Sequence, residues 1–324
     1  MPILDARHDG MHPVETDSAW SESYYFNGYD PGCEAGLYTR VGIRPHEGTM
    51  DVMLAVWLPD GGVAFARAVR DQTEMTESPL EVGGLTYRCL ERGARWSLSG
   101  TCDAQAYGPG RQQRDCRVRL DLTFDALTPL IGVEGGNAAS SGESAAASTA
   151  TGKGHLEQAG RWSGGVEVDG VVASFGPEAR GNRDKSWGPR RWGGPRMWRW
   201  FSINIGDETH FGGIRIGTEA GDLHRGWVWT EGALTSLAEW RVRTETQADG
   251  VTQKRVWLTA VDKAGREHAL EGEVLRVFPG GAKAGETRVN EGLTRWRYGG
   301  RTGYGIAEYL HQFNNAGEPA VAIE

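Results

Sequence analysis

Short segments in which apolar and polar residues alternate recur along this chain, and this alternation limits its fold more than any other feature. The segment 117–127 (RVRLDLTFDAL) is the clearest example, because four apolar residues fall on one side of it. They are Val118, Leu120, Leu122 and Phe124. A period of two predicts a strand with one buried face. Turn sequences such as Asp249-Gly250 separate the segments, so the pattern predicts an antiparallel sandwich or barrel.

The composition agrees with an all-β fold. Glycine occurs 48 times and tryptophan 13 times, which is typical of a protein rich in turns and strands. No segment has the pattern of an amphipathic helix. The chain carries 35 basic and 43 acidic residues, a formal charge of −8, so it lacks the basic surface of a nucleic-acid-binding protein. We therefore expect no nucleic-acid partner.

The length of 324 residues corresponds to roughly two domains. We expect two packed antiparallel barrels or sandwiches, one formed by residues 1–194 and the other by 195–324. The segment 135–154 contains no large apolar residue, and its Gly, Ala and Ser content predicts a flexible loop inserted in the first domain.

The sequence shows no targeting or membrane segment. No apolar run is long enough to predict a transmembrane helix, and the first twenty residues lack the apolar core of a secretory signal, so we expect a cytoplasmic protein. The spacing of Cys33, Cys89, Cys102 and Cys116 does not match a metal site, which favours reduced thiols. Cys89 and Cys102 could be neighbours on adjacent strands, so the disulfide status of Cys89, Cys102 and Cys116 stays open.

The segment 181–200 is the most unusual part of the chain, since it is dense in Gly, Pro, Trp and charged residues. This composition predicts a tight loop in which an Arg–Asp pair lies against indole faces. Two interpretations stay open. The loop could clamp the two domains together, with Asp184 as a strut paired to Arg183, or it could hold Asp184 as an acid in a Trp-lined cavity.

A family resemblance is carried by the same segment. GNRDKSWGPRRW (181–192) resembles the R-D-H-S-W-G-x-R signature of the AttH / carotenoid 1,2-hydratase (hydroxyneurosporene synthase) superfamily, which includes kievitone hydratase. The stretches SESYYFNGYD, HLEQAGRWSG, FGGIRIGTEAGDLHRGWVW, VNEGLTRW and GYGIAEYLHQ resemble an uncharacterised bacterial branch of it, and the resemblance covers almost the whole chain. Lys185 stands where the family usually has His.

The resemblance implies two lipocalin-like β domains and cofactor-free chemistry on hydrophobic terpenoid, prenylated or aromatic molecules. Relatives hydrate isolated double bonds, and other lipocalin-like members catalyse cyclisations. Such a hydratase protonates an alkene, and indole faces suit the resulting cation. Asp184 is the first candidate for the acid, and the other candidates are Glu157, Glu22 and Glu308.

Aromatic and polar residues that share strand faces are candidates for substrate contact. They are Tyr24, His155, Trp187, Arg190, Trp198, Trp200, His210, Trp227, Trp229 and Tyr304. Trp192 could also line the Trp-rich cavity. Trp198 with Trp200, and Trp227 with Trp229, are same-face pairs that could line a barrel.

Other functions stay open at this point. The chain could be a lipocalin-like carrier of a lipophilic ligand, or an isomerase or cyclase of the same fold, because a fold does not decide a reaction. We expect no cofactor, since the sequence has no phosphate-binding glycine loop and no convincing metal spacing. His155, Glu157 and His210 would be the ligands if a metal were bound. The oligomeric state is not predicted.

Overall fold

The computed structural model describes residues 1–72, 77–108, 112–134, 152–191, 193–219, 221–283 and 287–324. Most of the predicted loop 135–154, and Trp192, lie outside these residues. Within them the secondary structure is almost entirely strand, with one short 3-10 helix at Ala6–Asp9, so the prediction of an all-β fold is confirmed. No helix in the described part of the chain has the length and apolar character that crossing a membrane requires.

The chain forms two compact units. The first comprises Ile3–Glu134 and Gly152–Pro189, and the second comprises Met1–Pro2 and Arg190–Glu324. The strands of the first unit are β1 (Trp20–Asp30), β2 (Ala35–Arg44), β3 (Thr49–Trp57), β4 (Val63–Asp71), β5 (Leu80–Val82), β6 (Leu85–Glu91), β7 (Arg95–Tyr107), β8 (Gln113–Ala126), β9 (Ile131–Val133), β10 (Gly154–Val168), β11 (Val171–Phe175) and β12 (Arg180–Pro189).

Antiparallel pairing closes the first unit into a ring. The pairs run from β1 through β2, β3, β4, β7, β8, β10 and β12 and back to β1. The short strands β9 and β11 pair with β10, and the β5–β6 hairpin pairs with β7. Because the series of pairs closes on itself, its eight strands leave no free sheet edge.

Aromatic side chains fill the interior of this first barrel. The Phe26 ring lies 5.6–6.2 Å, between ring centroids, from four other buried rings. They are Tyr87, Trp96, Phe124 and Trp162. Gly28 and Gly181 leave room for Trp162, because a Cβ at these positions would lie 2.4 and 2.5 Å from its Nε1. The centre of the barrel is therefore a packed core.

The second unit is a closed barrel in which each strand pairs with the next, and β20 pairs with β13. Its strands are β13 (Met197–Ile205), β14 (Thr209–Thr218), β15 (Gly221–Thr230), β16 (Ala233–Thr246), β17 (Gln253–Asp262), β18 (Glu267–Lys283), β19 (Thr287–Tyr298) and β20 (Arg301–Gln312). Phe201, Ile203, Phe211, Leu258 and Trp296 belong to the core inside this barrel.

Two features of the sequence predictions need correction. Residues 180–189 form strand β12 between β1 and β10 instead of an irregular loop. Cys89 lies opposite Trp96, so it is not the cross-strand neighbour of Cys102, and all four cysteines are free thiols. The alternation predicted for 117–127 is confirmed, since its four apolar residues are buried within β8.

Candidate functional site

Strand β12 carries ionisable side chains on both of its faces, because successive residues of a strand point to opposite sides. Arg183 and Lys185 lie opposite the core residues Phe26 and Tyr24 and therefore face the interior of the barrel. Asp184 lies between them in sequence and faces outward. We call Asp9, Glu22, Arg183, Lys185, His8 and His12 the inner cluster, and His155, Glu157 and Asp184 the outer cluster.

The first part of the inner cluster is a buried pair of Asp9 and Arg183. The guanidinium donates from Nη1 to Oδ1 at 2.6 Å and from Nη2 to Oδ2 at 2.9 Å, and its Nε donates to Gln158 Oε1 at 2.8 Å. Asp9 Oδ2 also accepts from the Gly93 backbone N–H and from Trp96 Nε1. Burial alone would raise the pKa of Asp9, but Arg183 and these hydrogen bonds outweigh it and hold the pKa below its usual value.

The second part joins Glu22, Lys185 and His12. Lys185 Nζ donates to Glu22 Oε1, and His12 Nδ1 lies 3.0 Å from both atoms. Burial would raise the pKa of Glu22, but His12 and Lys185 together lower it. Burial lowers the pKa of Lys185 despite the attraction of Glu22. The pKa of His12 is also lowered, first by burial and then by Lys185, against the opposing effect of its bond to Glu22.

Trp187 completes this part of the barrel. Its ring stacks on His12 with centroids 3.9 Å apart and planes 8° from parallel, and Lys185 Nζ lies 4.8 Å from its centroid. His12 Nε2 lies 3.0 Å from His8 Nδ1, and His8 contacts the carboxylate of Glu134. The inner cluster therefore fastens the N-terminal segment to β12, and its buried charges are matched with one another.

Three members of the inner cluster, His8, Asp9 and His12, were not predicted from the sequence. All three lie in HDGMH (8–12), before the first strand, where no periodicity indicates a contact with β12. Three ionisable residues within five positions were the only available signal. Glu22 and Tyr24, which were named as candidates, lie on the inner face of β1, and Tyr24 is fully buried beside Lys185.

The outer cluster places an imidazole between two carboxylates. Glu157 on β10 lies directly opposite Asp184 on β12, and His155 precedes Glu157 on the same face. His155 Nδ1 is 4.0 Å from Glu157 Oε1, and its Nε2 is 3.9 Å from Asp184 Oδ2. The side chains of His155 and Asp184 are 18% and 19% exposed, whereas that of Glu157 is 3% exposed. Arg183 pairs with Asp9 and not with Asp184. The hypothesis that Asp184 is a structural strut paired to Arg183 is therefore wrong.

Polar and aromatic residues of β1 continue this outer face. Tyr25 lies opposite Asp184, and Ser23 lies opposite Ser186 with the two Oγ atoms 3.0 Å apart. An imidazole can accept and donate protons near neutral pH, and carboxylates close to it can hold its orientation. In structures without substrate such contacts are often longer than hydrogen bonds. The outer cluster thus has the residue types needed for proton transfer at a partly open surface.

The predicted aromatic pairs of the second unit lie outside its barrel. Trp198 and Trp200 share one face of β13, while Arg199 and Phe201 point inward. Trp227 and Trp229 likewise share the outer face of β15, because Val228 between them belongs to the core. The prediction that these pairs line the inside of a barrel is therefore wrong, although each pair does share a face.

Other candidate residues lie on the same outer face. Glu308 is opposite Trp200 and accepts a hydrogen bond of 2.5 Å from Trp198 Nε1. His210 Nδ1 lies 2.8 Å from Asn204 Oδ1, and Tyr304 is opposite Asn204.

The outer face of the second unit combines buried and partly exposed side chains. The guanidinium carbon of Arg190 is 5.9 Å from the centroid of the Trp198 ring. Trp229, Tyr304 and Glu308 are partly exposed, while Trp198, Trp200, Trp227 and His210 are buried.

His155 and Glu157, two of the three possible metal ligands, lie on β10, whereas His210 lies on β14. Among the described residues, no group of three or more His, Cys, Asp or Glu side chains is arranged to hold a metal ion. Both ring nitrogens of His210 lie within hydrogen-bond distance of oxygen atoms, those of Asn204 and of the Asp207 backbone.

Solved structures share this fold. An AttH protein from Nitrosomonas europaea has a TM-score of 0.61 at 13% identity, with 92% of this chain and 96% of that chain covered. Kievitone hydratase from Nectria haematococca has a TM-score of 0.61 at 14% identity, with coverage of 95% and 93%. CghA has a TM-score of 0.53 at 10% identity, with 93% of each chain covered. These similarities establish an AttH-like fold.

Sequence comparisons give the family. No curated protein is significantly similar to this chain. One family model, described as a domain of unknown function (DUF7064), matches residues 5–313 and so spans both units. The chain therefore belongs to the DUF7064 family.

Proposed function

We propose that this protein is a cofactor-independent lyase of the hydratase type, which acts by acid–base chemistry on a hydrophobic terpenoid, prenylated or aromatic small molecule. The observation that carries the proposal is the outer cluster, in which His155 lies about 4 Å from the carboxylates of both Asp184 and Glu157. The side chains of Asp184 and His155 are partly exposed, whereas that of Glu157 is buried. Groups that exchange protons at such a surface are typical of active sites.

The outer cluster supplies both proton transfers that hydration needs. Asp184, in its protonated form, gives its proton to one alkene carbon, so a C–H bond forms and the π bond becomes a carbocation at the other carbon. Water adds to that carbon, and Glu157 takes up the proton that the water loses. His155 returns the proton from Glu157 to Asp184. The balance is the addition of one water, and dehydration follows the same steps in reverse.

We propose separately that the aromatic outer face of the second unit binds an apolar molecule. Trp229 and Tyr304 are partly exposed there, and Glu308 accepts a hydrogen bond from the indole of Trp198. Indole and phenol rings bind apolar molecules and favour positive charge above their faces. Replacing Trp229 with Leu should weaken the binding of an apolar molecule to this face.

Structural relatives support an enzyme. Kievitone hydratase is named for a hydration, and CghA has also been solved with Sch210972. A lipocalin-like carrier would need an apolar cavity for its ligand, whereas aromatic side chains fill the centre of the first barrel. An isomerase or cyclase would use the same acid–base residues without adding water.

The test is incubation of the protein with kievitone and a panel of prenylated phenols and terpenoid alkenes in ¹⁸O-labelled water. A hydratase gives a product that carries the label, an isomerase or cyclase gives an unlabelled isomer, and a carrier returns its ligand unchanged. Asp184→Asn should fold normally and lose about 100-fold or more of the turnover. Asp121→Asn, at an exposed position of β8, is the matched control. Full turnover by Asp184→Asn would refute the assigned role.

A further inference from the structure

One end of the second barrel has a polar interior. At the end where β13 begins and β20 finishes, the inner positions carry Arg199, Asn290, Tyr309 and His311, and Gln253 of β17 reaches the same region. Each of these five side chains is at most 1% exposed. The opposite end is apolar, with residues such as Ile203 and Ile205. The polar end is therefore a local exception to the hydrophobic core.

Several buried atoms at this end have no hydrogen-bond partner among the described residues. They are both ring nitrogens of His311, both amide atoms of Asn290, Gln253 Oε1 and Arg199 Nε. Buried polar atoms in native proteins are almost always hydrogen-bonded, and each exception destabilises the fold. Burial and the positive charges of Arg199 and Arg288 lower the pKa of His311 to about 3, so its neutral ring offers one donor and one acceptor.

The same end already binds a carboxylate. Glu324 Oε1 accepts a hydrogen bond from Arg215 Nη1 at 2.9 Å, and its Oε2 accepts one from Arg199 Nη2 at 3.4 Å. Arg199 is held in place by the carbonyl oxygens of Trp198 and Leu310 and by the Tyr309 ring, 4.3 Å from the guanidinium carbon. The two guanidinium groups thus form a prearranged carboxylate site.

The segment that carries Glu324 is held only lightly. Its residues from Asn314 onward are exposed or half-buried, and its contacts to the barrel include hydrogen bonds at Ala320 and Glu324. Segments with few buried contacts open at a low cost in free energy.

Charge balance limits the chemical groups that can replace the Glu324 carboxylate. Arg199 and Arg215 face only Glu324 and Asp222 among the described acidic residues within ion-pair distance, so the replacement must be an anion.

We propose that the polar end of the second barrel is a binding site for a small organic carboxylate that also carries a hydroxyl or carbonyl group. The ligand carboxylate takes the place of the Glu324 side chain on Arg199 and Arg215. Its hydroxyl or carbonyl group pairs with Asn290, Gln253 and His311. Glu324 is then an intramolecular competitor of the ligand, and the site is independent of the acid–base chemistry proposed for the first unit.

The experiment is calorimetric titration of the whole protein with malate, with succinate as the probe that lacks the hydroxyl group. We expect malate to bind at millimolar concentration and Glu324→Gln to bind it about tenfold more tightly, because the tethered competitor is gone. Succinate should bind Glu324→Gln about tenfold more weakly than malate does. Glu318→Gln, in the same segment, is the control and should leave the affinity unchanged.

Two further variants link the binding to these residues. Arg215→Gln should abolish malate binding, and Asn290→Leu should remove the preference for malate over succinate. If Asn290→Leu fails to fold, Glu324→Gln and Arg215→Gln still decide the question, since both change partly exposed side chains. The absence of binding to both wild type and Glu324→Gln would overturn the proposal. Equal affinity of these two proteins, or binding that survives Arg215→Gln, would also overturn it.

Discussion

Arg183 and Asp9 form a two-pronged ion pair inside the first barrel, with N···O distances of 2.6 and 2.9 Å, although they are 174 positions apart in the chain. Each guanidinium nitrogen meets its own carboxylate oxygen, which is the strongest geometry for such a pair. Both side chains are shielded from water. The pair therefore joins the segment before the first strand to β12.

Loss of one partner of this pair should be costly. We expect Asp9→Ala to lower the free energy of unfolding by about 3–5 kcal/mol, because Arg183 would stay buried without its counter-charge. Asp9→Ala combined with Arg183→Met should cost less than the sum of the two single changes. Urea unfolding measures all three variants, and Asp103→Ala, an exposed carboxylate, is the control. A loss below 1 kcal/mol for Asp9→Ala would contradict this account.

A second prediction concerns His155 in the proposed reaction. His155→Gln keeps a polar side chain but cannot carry a proton between Glu157 and Asp184. We expect kcat to fall about 100-fold with KM nearly unchanged, and the pH profile of kcat to lose one limb. His46→Gln, on the surface, should behave like wild type. A variant with the wild-type pH profile would mean that His155 has only a structural role.

The stability of the protein should fall as the pH drops from 7 towards 5. The folded state lowers the pKa of His12 below 6.5 and that of His311 to about 3, so both are favoured in their neutral forms. The unfolded chain binds protons at these residues first, and stability is therefore present above pH 6.5 and lost below it. Thermal unfolding at several pH values measures the effect.

NMR tests whether His311 contributes to this loss of stability. The ring signals of His311 should not shift between pH 7 and 5. Titration of the His311 ring near pH 6.5 in the folded protein would contradict the burial and charge argument.

Gly154 is required by the position of Trp187. A Cβ at this position would lie 2.1 Å from Cζ2 of the indole, and the ring cannot retreat easily because His12 stacks on it. Gly154→Ala should therefore lower the free energy of unfolding by about 1–3 kcal/mol. In the matched control, Gly108→Ala, the new Cβ meets no atom within 4 Å. Urea unfolding compares the two, and equal stabilities would show that Trp187 can move aside.

The fold was easier to predict from the sequence than the site. Alternation identified strands such as β8 because its inward residues are apolar. It failed for β12, where Arg183 and Lys185 point inward and are neutralised by Asp9 and Glu22. Alternation also assigned Trp198 and Trp200 to one face, but a period of two cannot say whether that face is inside or outside a closed barrel. The partners of β12 lie far away in sequence, and only the tertiary fold brings them together.

The placement of Asp184 depends on charges that it never touches. If β12 slipped by one residue along β1 and β10, Asp184 would turn inward, and Arg183 and Lys185 would turn outward. Asp9 and Glu22 would then remain in the interior as unmatched anions, which is strongly unfavourable. The interior ion pairs thus fix the register of β12 and, with it, the side chains that β12 presents on the outer surface. Weakening these pairs should lower the activity that depends on Asp184, because the strand that carries Asp184 would be misaligned.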